Sequence, residues 1–139
     1  RIGFWFGAGN ASAPRMSFAD DLQQRLYAFA LDVIRFCRTL PSNRESSELA
    51  SQLRRASTGA SANYRACRRA RSRAEWIAKL AVVVEELDEA EHWLAMIDDA
   101  GIAQPSQDLI TECHSLRAIL AKSVASGRRT KNPNPILNS

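Results

Sequence analysis

The sequence predicts an all-α protein, specifically an antiparallel up-and-down four-helix bundle. Three observations support this fold class. Apolar residues recur in alternating steps of three and four along four successive stretches, Pro or Gly falls between most of them, and no stretch alternates as a β-strand does. With 139 residues, 45% of them hydrophobic, the chain can bury one core but not two. We therefore expect a single domain at residues 16–125.

The first predicted helix spans about residues 17–39. Ser17 is a suitable N-cap, two aspartates fall in the first turn, and Pro41 follows the helix as a stop signal. The apolar stripe is broad enough to contact two neighbouring helices. Its members are Leu22, Leu26, Phe29, Val33, Phe36 and Leu40.

The second predicted helix spans about residues 44–70 and carries unusually small apolar residues. Small side chains allow another helix to approach closely, which makes Gly59 tolerable within the helix. Asn63 falls in the seam itself, where a lone amide usually fixes the register of the helices, so we predict a structural polar core residue rather than a catalytic one. The predicted seam is Leu49, Leu53, Ala56, Ala60, Asn63, Cys67 and Ala70.

The third predicted helix begins with a capping box, Ser72 to Glu75, and ends before Gly101. The fourth begins near Pro105 and Ser106. Because short connections join long helices, consecutive helices are expected to run antiparallel. The third seam is Trp76, Leu80, Val83, Leu87, Ala90, Leu94 and Ile97, and the fourth is Leu109, Cys113, Leu116 and Leu120.

Both ends of the chain differ in composition from the middle. Residues 1–15 are rich in Gly and Ala, and Met16 stands just before the first helix, so we expect a non-native or disordered extension there. A secretory signal is the weaker alternative, because the apolar run is short and its basic region is a single arginine. Residues 126–139 contain basic residues and two Asn-Pro steps, which predicts a disordered basic tail.

The strongest functional signal is a run of arginines without any acid between residues 54 and 73. With the predicted seam at heptad positions a and d, five of them point outward on one face of the second helix, and two extend the patch into the following turn. Arginine makes planar, two-pronged contacts with phosphate, so this face suits the backbone of RNA or DNA but gives no base specificity. The predicted nucleic-acid-binding residues are Arg54, Arg55, Arg65, Arg68, Arg69, Arg71 and Arg73.

Two other interpretations of this arginine face remain open. It is either a solvated helix surface or a partner for the acids of another subunit, because residues 79–99 hold seven acids and one lysine. An interaction surface is also suggested by three apolar residues at outward positions of the third helix, which a monomer would leave wet. The predicted oligomer interface is Val82, Trp93 and Met96.

An enzymatic function is not expected. Glu89 and His92 have the Glu-x-x-His spacing of diiron bundles, but there is one copy and both residues point outward, so we predict no metal and no cofactor. Three scattered cysteines without CxxC spacing predict buried thiols and a reducing, cytoplasmic location. No apolar run reaches the ~20 residues of a membrane span, so no membrane partner is expected.

The central motif resembles the four-helix-bundle proteins of the 23S rRNA intervening-sequence family, and the similarity covers roughly residues 18–125. It rests on the Leu-Pro break at residues 40–41, on Lys79-Leu80 and Glu85-Glu86-Leu87-Asp88-Glu89, and above all on two adjoining stretches. These are Ala60-Ser61-Ala62-Asn63-Tyr64-Arg65-Ala66-Cys67 and Arg69-Ala70-Arg71-Ser72-Arg73-Ala74-Glu75-Trp76.

This resemblance implies a non-enzymatic antiparallel bundle that assembles into a ring-like homopentamer. Some relatives are encoded within insertions of 23S rRNA genes. A related group serves diversity-generating retroelements as accessory proteins that bind nucleic acid and a reverse transcriptase, so a protein partner of that kind is a further possibility. The motif positions that carry over as candidate nucleic-acid contacts are Arg65, Arg68, Arg69, Arg71 and Arg73.

Overall fold

The computed structural model describes residues 16–129, and within them the predicted all-α fold is confirmed. Consecutive helices pack against each other and α1 also packs against α4, whereas the Cα atoms of α1 and α3, and those of α2 and α4, stay more than 8 Å apart within this range. The helices therefore lie at the four corners of a bundle. They are α1 (Phe18–Cys37), α2 (Arg44–Cys67), α3 (Arg73–Asp99) and α4 (Gln107–Arg129).

Polar side chains fix where the helices begin. Ser17 Oγ accepts from the backbone N–H of Asp20 at 3.0 Å. The carboxylate of Asp20 accepts in turn from the backbone N–H of Ser17, which completes a capping box. Ser72 caps α3 through the N–H of Glu75 at 3.1 Å. Glu75 accepts from the N–H of Arg71 rather than Ser72, so the predicted box at α3 is only half formed.

The core follows the predicted stripes closely in α1, α3 and α4. Leu26 and Val33 are fully buried, as are Leu87 of α3 and Leu116 of α4. The main difference is at the start of α3, where Ile77 is buried and Trp76 is half-buried against the core. These three helices therefore present the apolar faces that their spacing indicates.

The predicted seam of α2 is partly wrong. Ala50, Ser57 and Tyr64 are buried, whereas Leu49 and Asn63 are half-buried at the edge of the interface. Ser57 satisfies its hydroxyl by donating to the carbonyl of Leu53 at 2.9 Å, so it enters the core without an unpaired polar atom. The buried stripe is thus offset by one residue at several positions, which places the ring of Tyr64 inside.

Asn63 joins α2 to α3 from the edge of the core. Its Nδ2 donates to Glu86 Oε1 at 2.7 Å. The same carboxylate lies against Gly59, where an added Cβ would meet it. Gly59 therefore provides the space that Glu86 occupies, and Asn63 lies at the edge of the helix interface rather than within the predicted seam.

Glu86 gives the first testable prediction. Burial raises the pKa of its carboxyl above the usual value, the bond from Asn63 opposes this, and Glu89 and Glu85 add to the rise. The folded protein therefore holds this proton to higher pH than the unfolded chain, so the contribution of Glu86 to stability increases as pH falls through its folded pKa.

We expect Glu86→Gln to keep the hydrogen bond and raise the free energy of unfolding at pH 7 by about 0.5 kcal/mol, a small gain because the group is partly exposed. Urea denaturation at neutral and mildly acidic pH measures the effect, and the gain should shrink at the lower pH. Asp88→Asn is the control, because Asp88 is exposed on the same helix and is not among the charges that shift the pKa of Glu86. A variant less stable than the parent at pH 7 would contradict the prediction.

Helix α4 runs further than the sequence indicated. Residues 126–129, predicted as the start of a disordered tail, continue the helix. Gly127 is buried, and a Cβ added there would lie 3.1 Å from Ile77 Cγ1 and 3.2 Å from Trp76 Cζ3. Close packing of α4 on the start of α3 therefore holds this turn in place. The predicted extension at residues 1–15 and the remainder of the tail lie outside the described residues.

Candidate nucleic-acid interface

Three arginines lie on one outward side of α2 and of the turn that follows it. Arg55, Arg65 and Arg69 are exposed, and none of their side chains forms an ion pair or hydrogen bond within residues 16–129. At about 1.5 Å of rise per residue, Arg55 and Arg65 lie roughly 15 Å apart along α2. Arg69 lies two residues beyond the last residue of the helix. We call these three residues the arginine stripe.

Arg54 and Arg68 are turned towards α1 instead of pointing outward with the stripe. Arg54 is half-buried beside Cys37, where its charge opposes the burial that raises the pKa of that thiol. Arg68 Nη1 lies 2.9 Å from Asp20 Oδ1 and donates to Gln23 Oε1 at 2.8 Å. Both arginines therefore lie against α1 rather than extending the stripe.

The ion pair with Arg68 changes the pKa of Asp20. Its hydrogen bond from Arg68 lowers the pKa of the carboxyl, and bonds from Ser17 add to the effect. The pair therefore stays ionised well below neutral pH, and Arg68 is engaged within the chain rather than presented to a ligand.

Arg71 and Arg73 carry positive charge to the end of the bundle. Arg71 Nε lies 3.6 Å from Glu75 Oε1, yet its side chain remains 90% exposed. Arg73 donates from Nη2 to the carbonyl of Gly127 at 3.5 Å, next to the end of α4. Both lie beyond the last residue of the arginine stripe, so the basic surface continues from α2 towards α3 and α4.

The acids of α3 are not neutralised by the arginine stripe of the same chain. Within the described residues, Glu85, Asp88 and Glu89 are exposed and form no ion pair. Glu91 faces α4, where its Oε1 lies 3.0 Å from Arg117 Nε in an ion pair and its carboxylate contacts His114 Nδ1. The separation of charge seen in the sequence is therefore also a separation in space.

The predicted oligomer interface is only partly exposed. Val82 and Met96 are 42% and 41% exposed. Trp93 is instead half-buried, packed on the core with its ring edge-on to His92 at 4.9 Å between centroids. The apolar surface on α3 is smaller than expected, because the large indole turns inward.

Metal-ligating side chains do not cluster in the part of the chain that the structure describes. Glu89 and His92 are exposed and point away from the core. The residue between them that does face a neighbouring helix, Glu91, is engaged by Arg117. In the same range no helix is both long and apolar enough to cross a membrane.

The three thiols are buried at helix contacts. Cys37 donates to the carbonyl of Ala50, Cys67 to that of Trp76, and Cys113 to that of Leu87. Burial raises the pKa of all three, in Cys113 to about 12. A thiol held neutral in this way is a poor nucleophile.

Comparison with known proteins assigns the chain to a family. The family model described as "23S rRNA-intervening sequence protein" matches residues 20–122. The protein belongs to the 23S rRNA-intervening sequence family. The matched range of this family member contains the whole arginine stripe and all of the acids on α3. A search among curated proteins finds no significant match.

A solved structure has the same fold as this 23S rRNA-intervening sequence protein. It is a protein of unknown function from the S23 ribosomal protein family of Bacteroides thetaiotaomicron. The two superpose with a TM-score of 0.70 at 21% identity, over 77% of this chain and 97% of that one. The likeness supports the four-helix bundle and carries no information on ligand or partner.

The sequence did not single out several residues that the fold brings to the interface. Phe18 is 65% exposed at the start of α1, and Lys122 is exposed near the end of α4. Both lie beside Arg73 of α3. Only the packing of three helix ends reveals this grouping, since the residues are far apart in the chain.

Proposed function

We propose that this family member is a non-enzymatic, oligomeric helical-bundle protein of the cytoplasm that binds the backbone of RNA or DNA. The observation that carries the proposal is the arginine stripe, whose three guanidinium groups are exposed and unpaired within the described residues. Their spacing along α2 suits successive phosphates, and Arg71 extends the surface. Phosphate contacts supply affinity without reading bases, so binding should not depend on sequence.

Several contacts support an antiparallel arrangement of the helices. Arg68 at the end of α2 bonds Asp20 at the start of α1, and Gly127 at the end of α4 packs on Ile77 at the start of α3. We further propose the ring-like homopentamer that the family resemblance implies. The exposed Val82 and Met96 support burial of the outer face of α3 in an assembly.

A second candidate is a self-assembling scaffold or a protein-recruiting accessory, for example to a reverse transcriptase. In this candidate the arginine stripe pairs with the acids of another subunit or of a partner protein. The observation that favours it is the set of exposed, unpaired acids at Glu85, Asp88 and Glu89. Sizing with light scattering separates the two, because loss of the stripe would then dissociate the assembly.

The proposed function predicts steeply salt-dependent binding. A filter-binding series with two unrelated duplexes should give affinity that falls linearly on a log–log plot, with a slope near −0.9 for each phosphate neutralised. We expect a slope of about −3 or steeper and similar affinities for both sequences. Absence of binding at about 50 mM salt, or a marked preference for one sequence, would contradict the proposal.

A further inference from the structure

A groove opens at one end of the bundle, between the start of α1, the start of α3 and the end of α4. Its volume is about 490 Å³, within the range of sites that hold small molecules or parts of larger ligands. The residues that give it its chemistry are aromatic, aliphatic and basic. They include Phe18, Trp76, Ile119, Arg73 and Lys122.

The aromatic side of the groove is open to solvent. Phe18 is 65% exposed, the highest value among the large apolar side chains that the structure describes. Trp76 is half-buried beside it, in contact with the turn that contains Gly127. A phenyl ring left in water within a groove offers a flat apolar face that a planar ligand can cover.

Lys122 has no acidic neighbour among the described residues of the groove. None of the described residues that line it is acidic. Lys122 is exposed and forms no ion pair within residues 16–129, and Arg128 is exposed in the next turns of α4. Arg73 lies across the groove, donating to the carbonyl of Gly127. The groove therefore favours an anionic ligand that also carries a planar apolar group.

The groove adjoins the surface to which the proposed function assigns phosphate binding. The bond from Arg68 to Asp20 places the end of α2 beside the start of α1. Arg69, the last member of the arginine stripe, therefore lies at the same end of the bundle as Phe18. Arg71 lies between Arg69 and Arg73 along the chain and is almost fully exposed. A nucleic-acid strand that follows the stripe to its end and then crosses this end of the bundle would reach the groove.

We propose that the groove holds an unpaired base of single-stranded RNA or DNA, stacked on Phe18, with Lys122 contacting a neighbouring phosphate. This inference rests on the proposed function and specifies single-stranded nucleic acid as the ligand of the groove. Bases in a duplex are stacked on each other, so their faces are not available to an aromatic side chain, whereas single-strand-binding proteins combine basic grooves with aromatic platforms. The arginine stripe binds either form, and the groove adds affinity for single strands.

Fluorescence anisotropy with a labelled single strand and the matching duplex tests the proposal. Phe18→Ala should weaken single-strand binding about tenfold, the usual effect of removing a stacking ring, and change duplex binding less than about twofold. Tyr27→Ala is the matched control, since Tyr27 is 57% exposed on α1 and does not line the groove. It should change neither affinity. Phe18→Trp should retain single-strand binding because it keeps a stacking ring.

Each outcome separates this inference from the proposed function. If Phe18→Ala binds single strands as tightly as the parent while the duplex still binds, the groove does not bind a base. The proposed phosphate binding by the arginine stripe is then unaffected. If both forms weaken equally, Phe18 does not act by stacking and the inference is overturned. If the parent protein binds neither form at low salt, the proposed function fails and the inference fails with it. Circular dichroism verifies that each variant folds.

Discussion

Replacing Arg55, Arg65 and Arg69 together by alanine is expected to lower duplex affinity on the order of 100-fold near 0.1 M salt. Each arginine that contacts a phosphate releases a counterion on binding, so the slope of log affinity against log salt should become shallower by about 3 units. The fold should be unaffected, because the three side chains are exposed and make no ion pair within the described residues. Filter binding across a salt series measures both effects.

A control variant with the same loss of charge elsewhere distinguishes binding by the arginine stripe from a general effect of net charge. Arg35, Arg38 and Arg44 are also exposed, and they cluster around the link between α1 and α2 rather than along the stripe. Replacing them by alanine removes the same charge and should leave most of the affinity. Equal losses in both variants would mean that net charge alone drives binding. Dissociation of the assembly in the stripe variant only would favour the scaffold function.

Phe29→Ala is expected to destabilise the fold by about 3–5 kcal/mol, the range found when a buried phenyl ring leaves a cavity. Phe29 is 1% exposed and is among the largest fully buried side chains. It lies where α1 faces α4, beside a cleft of about 730 Å³. Because α1 packs against both α2 and α4, the backbone around Phe29 should move little to fill the cavity that the substitution leaves.

Urea denaturation monitored by circular dichroism measures this loss, and Tyr27→Ala is the control on the same helix. Tyr27 lies on the exposed side of α1, so its removal should change the free energy of unfolding by less than about 0.5 kcal/mol. A loss below about 1 kcal/mol for Phe29→Ala would mean that the interface between α1 and α4 repacks easily. If Phe29→Ala is less stable but binds nucleic acid like the parent, the substitution affects the fold and not the binding surface.

The sequence predicted the core well wherever large apolar residues set the phase. The stripes of α1, α3 and α4 each contain several Leu or Val side chains, whose burial dominates the packing energy. In α2 only Leu49 and Leu53 are large and aliphatic, and the other candidates are mostly Ala, Ser and Cys, so the apolar spacing does not determine which side of the helix is buried. The burial of Tyr64 in place of Asn63 follows from the approach of α1 and α3, which local spacing does not describe.

In the candidate site, too, the sequence predicted what local helix geometry determines and missed what depends on the packing of distant helices. The position of the arginine stripe follows from helix geometry alone. The engagement of Arg68 depends on Asp20, which lies more than forty residues earlier and meets it only when α1 packs on α2. Phe18 could not be recognised as a candidate ligand contact, since the other walls of its groove come from α3 and α4.

The three cysteines can serve as internal reporters of how the bundle opens. Cys37 lies at the contact of α1 with α2, Cys67 at that of α2 with α3, and Cys113 at that of α4 with α3. Because each thiol is buried and protonated, an alkylating reagent can reach it only after the corresponding pair of helices has separated. The relative labelling rates of the three thiols would therefore rank the helix contacts by local stability, without introducing any probe into the chain.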